Sequence, residues 1–307
     1  MKLRKVLGHL LIVVGICIPL QAFTQICIND ISSASQYRAY KEEYMADRAS
    51  IKGSDQARRA SIAKKKSLDK EIDRYNDGLA QDEGIVDPFV ADDYKSAYGI
   101  KGLDTNAVFG YLIVPSIQVK KPIWLDATYE HLDKGVAHVY GTSLPTGGKG
   151  RRSVIAGHRG WYRDIMLLNL GKVKNGDKVY IDRKGQVLTY VVKGREIISP
   201  SQWEKLSPRP GKDILTLLSC EPIRPPSPYR LLINCERLEE GKSAKGAKDA
   251  KDAKSDFGLS SGPDESDIDR GSRSTPLRYL FYIVTVLAWC LLIFSIYKLV
   301  KAVRERK

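Results

Sequence analysis

The spacing of apolar positions changes three times along the chain. Val6 to Phe23 is an apolar run without Asp, Glu, Lys or Arg, and Tyr279 to Tyr297 is a second. The second run is 19 residues long, enough for a helix to cross about 30 Å of hydrocarbon. Between them, residues 30–80 are polar, with Tyr37, Tyr40 and Tyr44 at helical spacing. Leu68, Ile72, Tyr75 and Leu79 follow at steps of four, three and four, which places them on one helix face. Gly53 and Ser54 interrupt this pattern and predict two helices joined by a turn.

From Val108 the texture shortens. VFGYLIV (108–114), VKKPIWL (119–125), KVYI (178–181), QVLTYVV (186–192), ILTLL (214–218) and YRLLINC (229–235) are β-type runs punctuated by Gly, Pro and Asp. Another short apolar strand, in SVIAGHRG, runs into a Gly-His-Arg-Gly loop. So many short strands predict an all-β barrel or sandwich. The one helical pattern inside it falls around Asp164 to Leu170. Residues 81–105 read as a loop containing Asp87-Pro88-Phe89, where Asp before Pro favours an extended or turn backbone. Residues 240–275, with the quasi-repeat AKGAKDAKDAK, have almost nothing apolar to bury and read as a solvated tether.

Composition narrows the function. The 307 residues carry a net charge of +14, which by itself invites a nucleic-acid partner. The charge sits elsewhere. Lys2, Arg4 and Lys5 precede the first apolar run, and Lys298, Lys301, Arg304, Arg306 and Lys307, offset by Glu305, follow the second. Half of the excess therefore lies beside membrane-type segments, where the positive-inside rule puts it in the cytoplasm. No nucleic-acid partner is expected. The domain order reads as 1–29, an N-terminal anchor or signal segment; 30–80, helices; 81–105, a loop; 106–239, the β domain; 240–275, the tether; 279–297, a transmembrane helix; and 298–307, a basic cytoplasmic tail. Either reading of the first segment exports the centre of the chain.

Five cysteines are present, and Cys17 and Cys290 lie within the apolar runs. The remainder form neither a disulfide framework nor a zinc spacing, so neither metal nor cofactor is expected. Cys220 and Cys235 are candidate nucleophiles, and His131, His138 and His158 candidate bases. Cys220 ends a strand and opens into a proline-rich loop, where reactive groups commonly sit. Alternation in the last strand puts Leu231, Ile233 and Cys235 on one face and Arg230, Leu232 and Asn234 on the other, so Cys235 reads as a small core residue. His131 lies in a polar stretch and reads as a surface residue. His158 and His138 have similar claims on local sequence.

Thr216-Leu217-Leu218-Ser219-Cys220, with Arg230 at the start of the next strand, resembles the sortase signature. GVAHVYGTSLPTGGKG (135–150) and SVIAGHRG (153–160) are also similar to sortase segments, and the family's catalytic histidine matches His158. Asp87-Pro88-Phe89 resembles the lid of the pilus-assembling class C sortases, which also share the two N-terminal helices and a C-terminal membrane helix. The resemblance implies a mainly β fold, a closed sortase barrel with an N-terminal helical segment and lid, flanked by membrane helices. The chain departs from the pattern at Ser219, which replaces the usual Thr, and at Glu221-Pro222 and the proline-rich stretch before Arg230. There Arg224 is a rival to Arg230.

The resemblance implies a cysteine transpeptidase. Cys220 is the expected nucleophile, His158 the general acid/base, Arg230 the oxyanion or substrate stabiliser, and Thr216 and Ser219 the groove support. Asp87, Pro88 and Phe89 are the expected lid, with Asp87 near Arg230 and Phe89 over Cys220. The implied partners are LPxTG-like sorting signals of pilins or surface proteins, an acceptor amine from a pilin lysine or a cell-wall peptide, and the membrane. Rival readings are a wall-anchoring sortase, a hydrolytic cysteine peptidase and a non-catalytic β-barrel scaffold tethered to the membrane.

Overall fold

The structure, a computed structural model, describes residues 2–50, 55–79, 84–90, 94, 96–160, 164–238 and 276–304. The predicted turn at Gly53-Ser54 and the tether lie outside these residues. The chain divides into two compact units, one formed by the N-terminal residues to Ala34 with the C-terminal helix, the other mainly by Ser35–Gly160 and Met166–Ser272.

Helix α1 spans Lys2–Ser50, α2 spans Asp55–Gly78 and the last helix, α4, spans Pro276–Arg304. Among the described residues, two helical stretches are long and apolar enough to cross a membrane, Val6–Ala46 and Tyr279–Lys301. In the first unit, Trp289 Nε1 donates to Thr24 Oγ1 at 3.0 Å, and the Phe23 and Phe281 rings meet edge to face at 5.1 Å.

The second unit is a closed eight-stranded barrel. Its strands are β1 (Val108–Val114), β2 (Val119–Leu125), β3 (Val136–His138), β4 (Arg151–Ala156), β5 (Lys178–Arg183), β6 (Gln186–Ile198), β7 (Asp213–Glu221) and β8 (Tyr229–Arg237). They close in the order β1-β2-β3-β4-β7-β8-β6-β5. The pairs β2–β3 and β4–β7 are parallel and the others antiparallel.

Alternation divides each strand between two environments. Leu215 and Leu217 of β7 and Leu231, Ile233 and Cys235 of β8 belong to one large core cluster. Leu218 and Leu232 belong to another, which also takes in Ala137, Ala156 and Phe89. Burial in that first core pushes the Cys235 thiol up to about 12, so it stays protonated and inert, as its strand position predicts.

The tyrosines and the apolar stripe dock the helices on the barrel. Tyr37 donates to Asp182 Oδ2 at 2.8 Å, and the Tyr37 and Tyr40 rings lie 4.8 and 4.9 Å from Tyr111. From α2, Ile72 is fully buried with Leu68 and Tyr75 against Phe109, Leu125 and Leu144. Asn76 accepts from the Leu144 N–H at 2.7 Å, satisfying a buried amide.

Two expectations are corrected. Residues 164–170 form no α-helix. They are bends and a turn leading into a short 3-10 turn, Leu170–Lys172, because Leu167 and Leu170 enter the barrel core separately and the Leu167 N–H bonds the His158 carbonyl. The helix inside the β domain is instead α3, Tyr129–Lys134, whose N-terminus is capped by Thr128. His131 is not a surface residue. It lies on the inner side of α3 at 6% exposure, stacked 5.1 Å from Trp124, with Nδ1 bonded to the Asp126 carbonyl.

Candidate active site

The parallel β4–β7 pair decides where the site lies. Both strands run toward the same rim of the barrel, with Ala156 opposite Leu218. Beyond them Gly157 N donates to the Leu218 carbonyl, and the buried Ser219 hydroxyl donates to the Gly157 carbonyl at 2.6 Å. His158, two residues past the end of β4, and Cys220, near the end of β7, therefore both come to this rim. A Cβ at Gly157 would stand 2.9 Å from both Leu167 and Val136 side-chain carbons, so any larger residue there must displace one of them.

Strand β8 returns antiparallel and sets Arg230 directly opposite Cys220. The Arg230 guanidinium is bound by the Ser227 and Tyr229 carbonyls at 2.9 and 2.8 Å and by Asp87. Arg224 is exposed in the intervening loop, and the strand pairing sets Arg230, not Arg224, opposite Cys220.

Cys220 is half-buried. Burial raises its thiol pKa, Arg230 opposes this, the Asp87 carboxylate raises it further and Arg159 lowers it. Burial depresses the His158 imidazole, and Asp133 partly offsets this. The resting site thus favours a thiol beside a neutral imidazole.

Asp87, Pro88 and Phe89 form a turn over this rim. Asp87 Oδ1 accepts from the Phe89 N–H at 3.0 Å, which fixes the turn locally. The Phe89 ring lies 5.9 Å from the His158 ring and 5.3 Å from the Arg230 guanidinium. Tyr129 Oη donates to the Phe89 carbonyl at 3.3 Å.

Thr216 and Ser219 are fully buried and lie beneath the rim. Thr216 joins a network in which it donates to Asn234 Oδ1 at 2.9 Å and Arg152 Nη1 reaches both. His138 is buried in the core with its Nε2 facing the Ser143 carbonyl, so it carries a proton there and accepts from Tyr98 Oη at Nδ1. Burial pulls its pKa to about 4. It has no proton chemistry to offer near neutrality.

Sequence reasoning missed Arg159, Glu221, Tyr129 and Asp133. Arg159 is buried, ion-paired with Glu221, and donates to the Cys220 carbonyl at 3.1 Å. Its signal was adjacency, since Arg159 follows His158 and Glu221 follows Cys220. Asp133 and Tyr129 sit in a polar stretch with no such signal. Among the described residues no cluster of His, Cys, Asp or Glu is arranged to hold a metal ion.

A cysteine, a histidine and an arginine on one rim of an eight-stranded barrel define a candidate thiol acyl-transfer site. A sortase-domain family model matches residues 112–238. Sortase C-3 from Streptococcus pneumoniae shares 44% identity, with 56% of this chain and 82% of that chain covered and a TM-score of 0.53. A pilus-related sortase C of Group B Streptococcus shares 32%, with 57% and 91% covered and a TM-score of 0.52. Sortase A of Bacillus anthracis is 29% identical over 40% of this chain, which spans 56% of that protein's length. The chain belongs to the sortase family, and its structural neighbours are class C members.

Proposed function

We propose that the chain is a membrane-bound cysteine transpeptidase that joins an LPxTG-like sorting signal to a pilin lysine. The observation that carries this reading is the register of Cys220 opposite Arg230 on the rim where β4 delivers His158. The pilus-related sortase C neighbour supports the choice of a pilin as partner.

In this reading the Cys220 thiolate attacks the threonine carbonyl of the signal. Arg230 stabilises the oxyanion. The Thr–Gly C–N bond breaks as His158 gives a proton to the leaving glycine amine, and a thioester forms. The acceptor amine then attacks the thioester, His158 takes the amine proton, and the thiolate leaves. Asp87 and Phe89 act as a lid, since Arg230 cannot serve an oxyanion while it is held by Asp87. Ser219 and Thr216 hold the strand ends from below. The apolar helices keep the catalytic domain at the outer face of the membrane, with the basic tail in the cytoplasm, so enzyme and membrane-threaded substrate meet at high effective concentration.

The test is intact mass of the full-length chain in detergent, incubated with LPxTG-like peptides. An adduct of the acyl half on the wild type, absent in Cys220→Ala and released by hydroxylamine, supports the thioester. A lysine-bearing pilin peptide, a cell-wall peptide amine and water are then compared as acceptors. Preference for the wall amine favours anchoring, and preference for water favours a hydrolytic peptidase. A chain that takes no adduct, with Asp87 and Phe89 changed to Ala as well as intact, returns the scaffold reading.

A further inference from the structure

Helix α3 is only six residues long but has two distinct faces. His131 and Leu132 are buried on one. Tyr129 and Asp133, four residues apart and so on a common face, both meet His158. Asp133 Oδ1 lies 3.7 Å from His158 Nε2. The Tyr129 ring stacks over the imidazole at 6.4 Å and 27°.

We propose that Asp133 is a positioning residue for His158, holding Nε2 so that Nδ1 is left to exchange protons with substrate and favouring the imidazolium that the reaction needs. The Tyr129 ring flanks the imidazole on the same side of α3. This inference rests on the reading of His158 as the acid/base.

The surroundings single out this carboxylate. From α3, Tyr129 and Asp133 face the imidazole. From the lid, Phe89 faces it, while Asp87 is engaged by Arg230 of β8. Arg159, next in the chain, is turned to Glu221 and the Cys220 carbonyl. Among the described residues, Asp133 is the one carboxylate within ion-pair range of His158. It opposes the burial that otherwise drives the ring neutral.

The role is electrostatic and orienting. When the scissile C–N bond breaks, the Nδ1 proton passes to the leaving amine nitrogen, and Asp133 stays ionised throughout. Asp133 is about half exposed, so its effect is modest and screened by salt.

The pH profile separates this from a structural role. Burial raises Cys220 and lowers His158, so thiolate with imidazolium is a minority form. Weakening the imidazolium lowers the plateau of that form and moves its acid limb to lower pH, while rates below the limb do not change. A loss of folded enzyme instead lowers the rate equally at every pH.

The chain has four histidines, so ring carbon signals of the full-length protein in detergent can be followed by NMR, with His158→Gln as the assignment control. In Asp133→Asn the His158 titration should move to lower pH and in Asp133→Glu return toward wild type. Acyl transfer to the peptides above should fall about two- to threefold on the plateau in Asp133→Asn and not on the acid side. An unmoved His158 titration in Asp133→Asn, or no return in Asp133→Glu, overturns the proposal. Failure of the wild type to process any peptide refutes the enzymatic reading instead, and the NMR titration still reports on Asp133.

Discussion

Asp87 holds Arg230 through two guanidinium nitrogens. Nε donates to the two carboxylate oxygens at 3.2 and 3.0 Å, and Nη2 lies 2.7 Å from Oδ2. Both side chains are nearly buried, at 10% and 4% exposure. A pair this dry is held tightly because either partner left alone is a buried charge. The same carboxylate raises the Cys220 thiol pKa. In the proposed mechanism one residue thereby occupies the arginine and quiets the nucleophile.

Replacing Asp87 with Asn keeps the shape and removes the charge. Thiol labelling of Cys220 at neutral pH should rise about tenfold, as expected if about 1.4 kcal/mol of closure is lost. The labelling curve should also move to lower pH, because one of the causes that raise the thiol is gone. Labelling rates against pH, with Cys220→Ala as the blank, measure both. An unchanged rate would falsify the lid.

Arg159→Ala should be more damaging than a surface change. It strips Glu221 of its partner and the Cys220 carbonyl of a donor. The expected cost is about 2–3 kcal/mol of stability. The measurement is chemical unfolding of the solubilised chain, alongside acyl-enzyme formation. Arg159→Lys, which keeps the charge but not the fork, should lie between the two.

His138 makes the fold acid-sensitive. Its imidazole is buried neutral with a pKa of about 4, below the usual 6.5. The unfolded chain therefore gains a proton first as pH falls. The stability is present above about pH 6.5 and drains away toward pH 4. Between pH 7 and pH 5 this group accounts for about 2 kcal/mol. Unfolding at the two pH values, wild type against His138→Gln, should show the variant losing less by that amount.

One contact of the α1 docking is the hydrogen bond from Tyr37 to Asp182. Tyr37→Phe leaves Asp182, which is 1% exposed, with its Oδ2 deprived of that donor. Its Oδ1 still receives the Gly185 N–H. A loss of about 1–3 kcal/mol is expected. Hydrogen exchange in β5 and in residues 35–46 would report it, and equal protection in both forms would contradict it.

Most strands were legible because their alternation and their Gly, Pro and Asp boundaries are local. The runs at 108–114 and 119–125 coincide with β1 and β2. β3 is three residues long and too short to carry a period. α3 was hidden because six residues give barely more than one turn. Its polar residues face a partner, and its buried His131 looks like any polar residue in a string. The helical pattern at 164–170 failed for the opposite reason. Apolar residues at helical spacing entered the barrel core one at a time.

The sequence by itself determined the class of the fold, the two apolar segments, the inert Cys235, and Cys220, His158 and Arg230 as the residues to examine. Strand alternation and strand-end position are properties of neighbouring residues, so they survive without a fold. Only the tertiary structure decided that His158 and Cys220 share a rim. They are 62 residues apart, and the parallel pairing of β4 with β7 brings them together. It also separated two histidines with equal local claims, burying His138 and leaving His158 partly open. Burial, register and the charges around a group depend on segments distant in the chain, so Asp87 on Arg230 and Asp133 beside His158 become visible only once the barrel has closed.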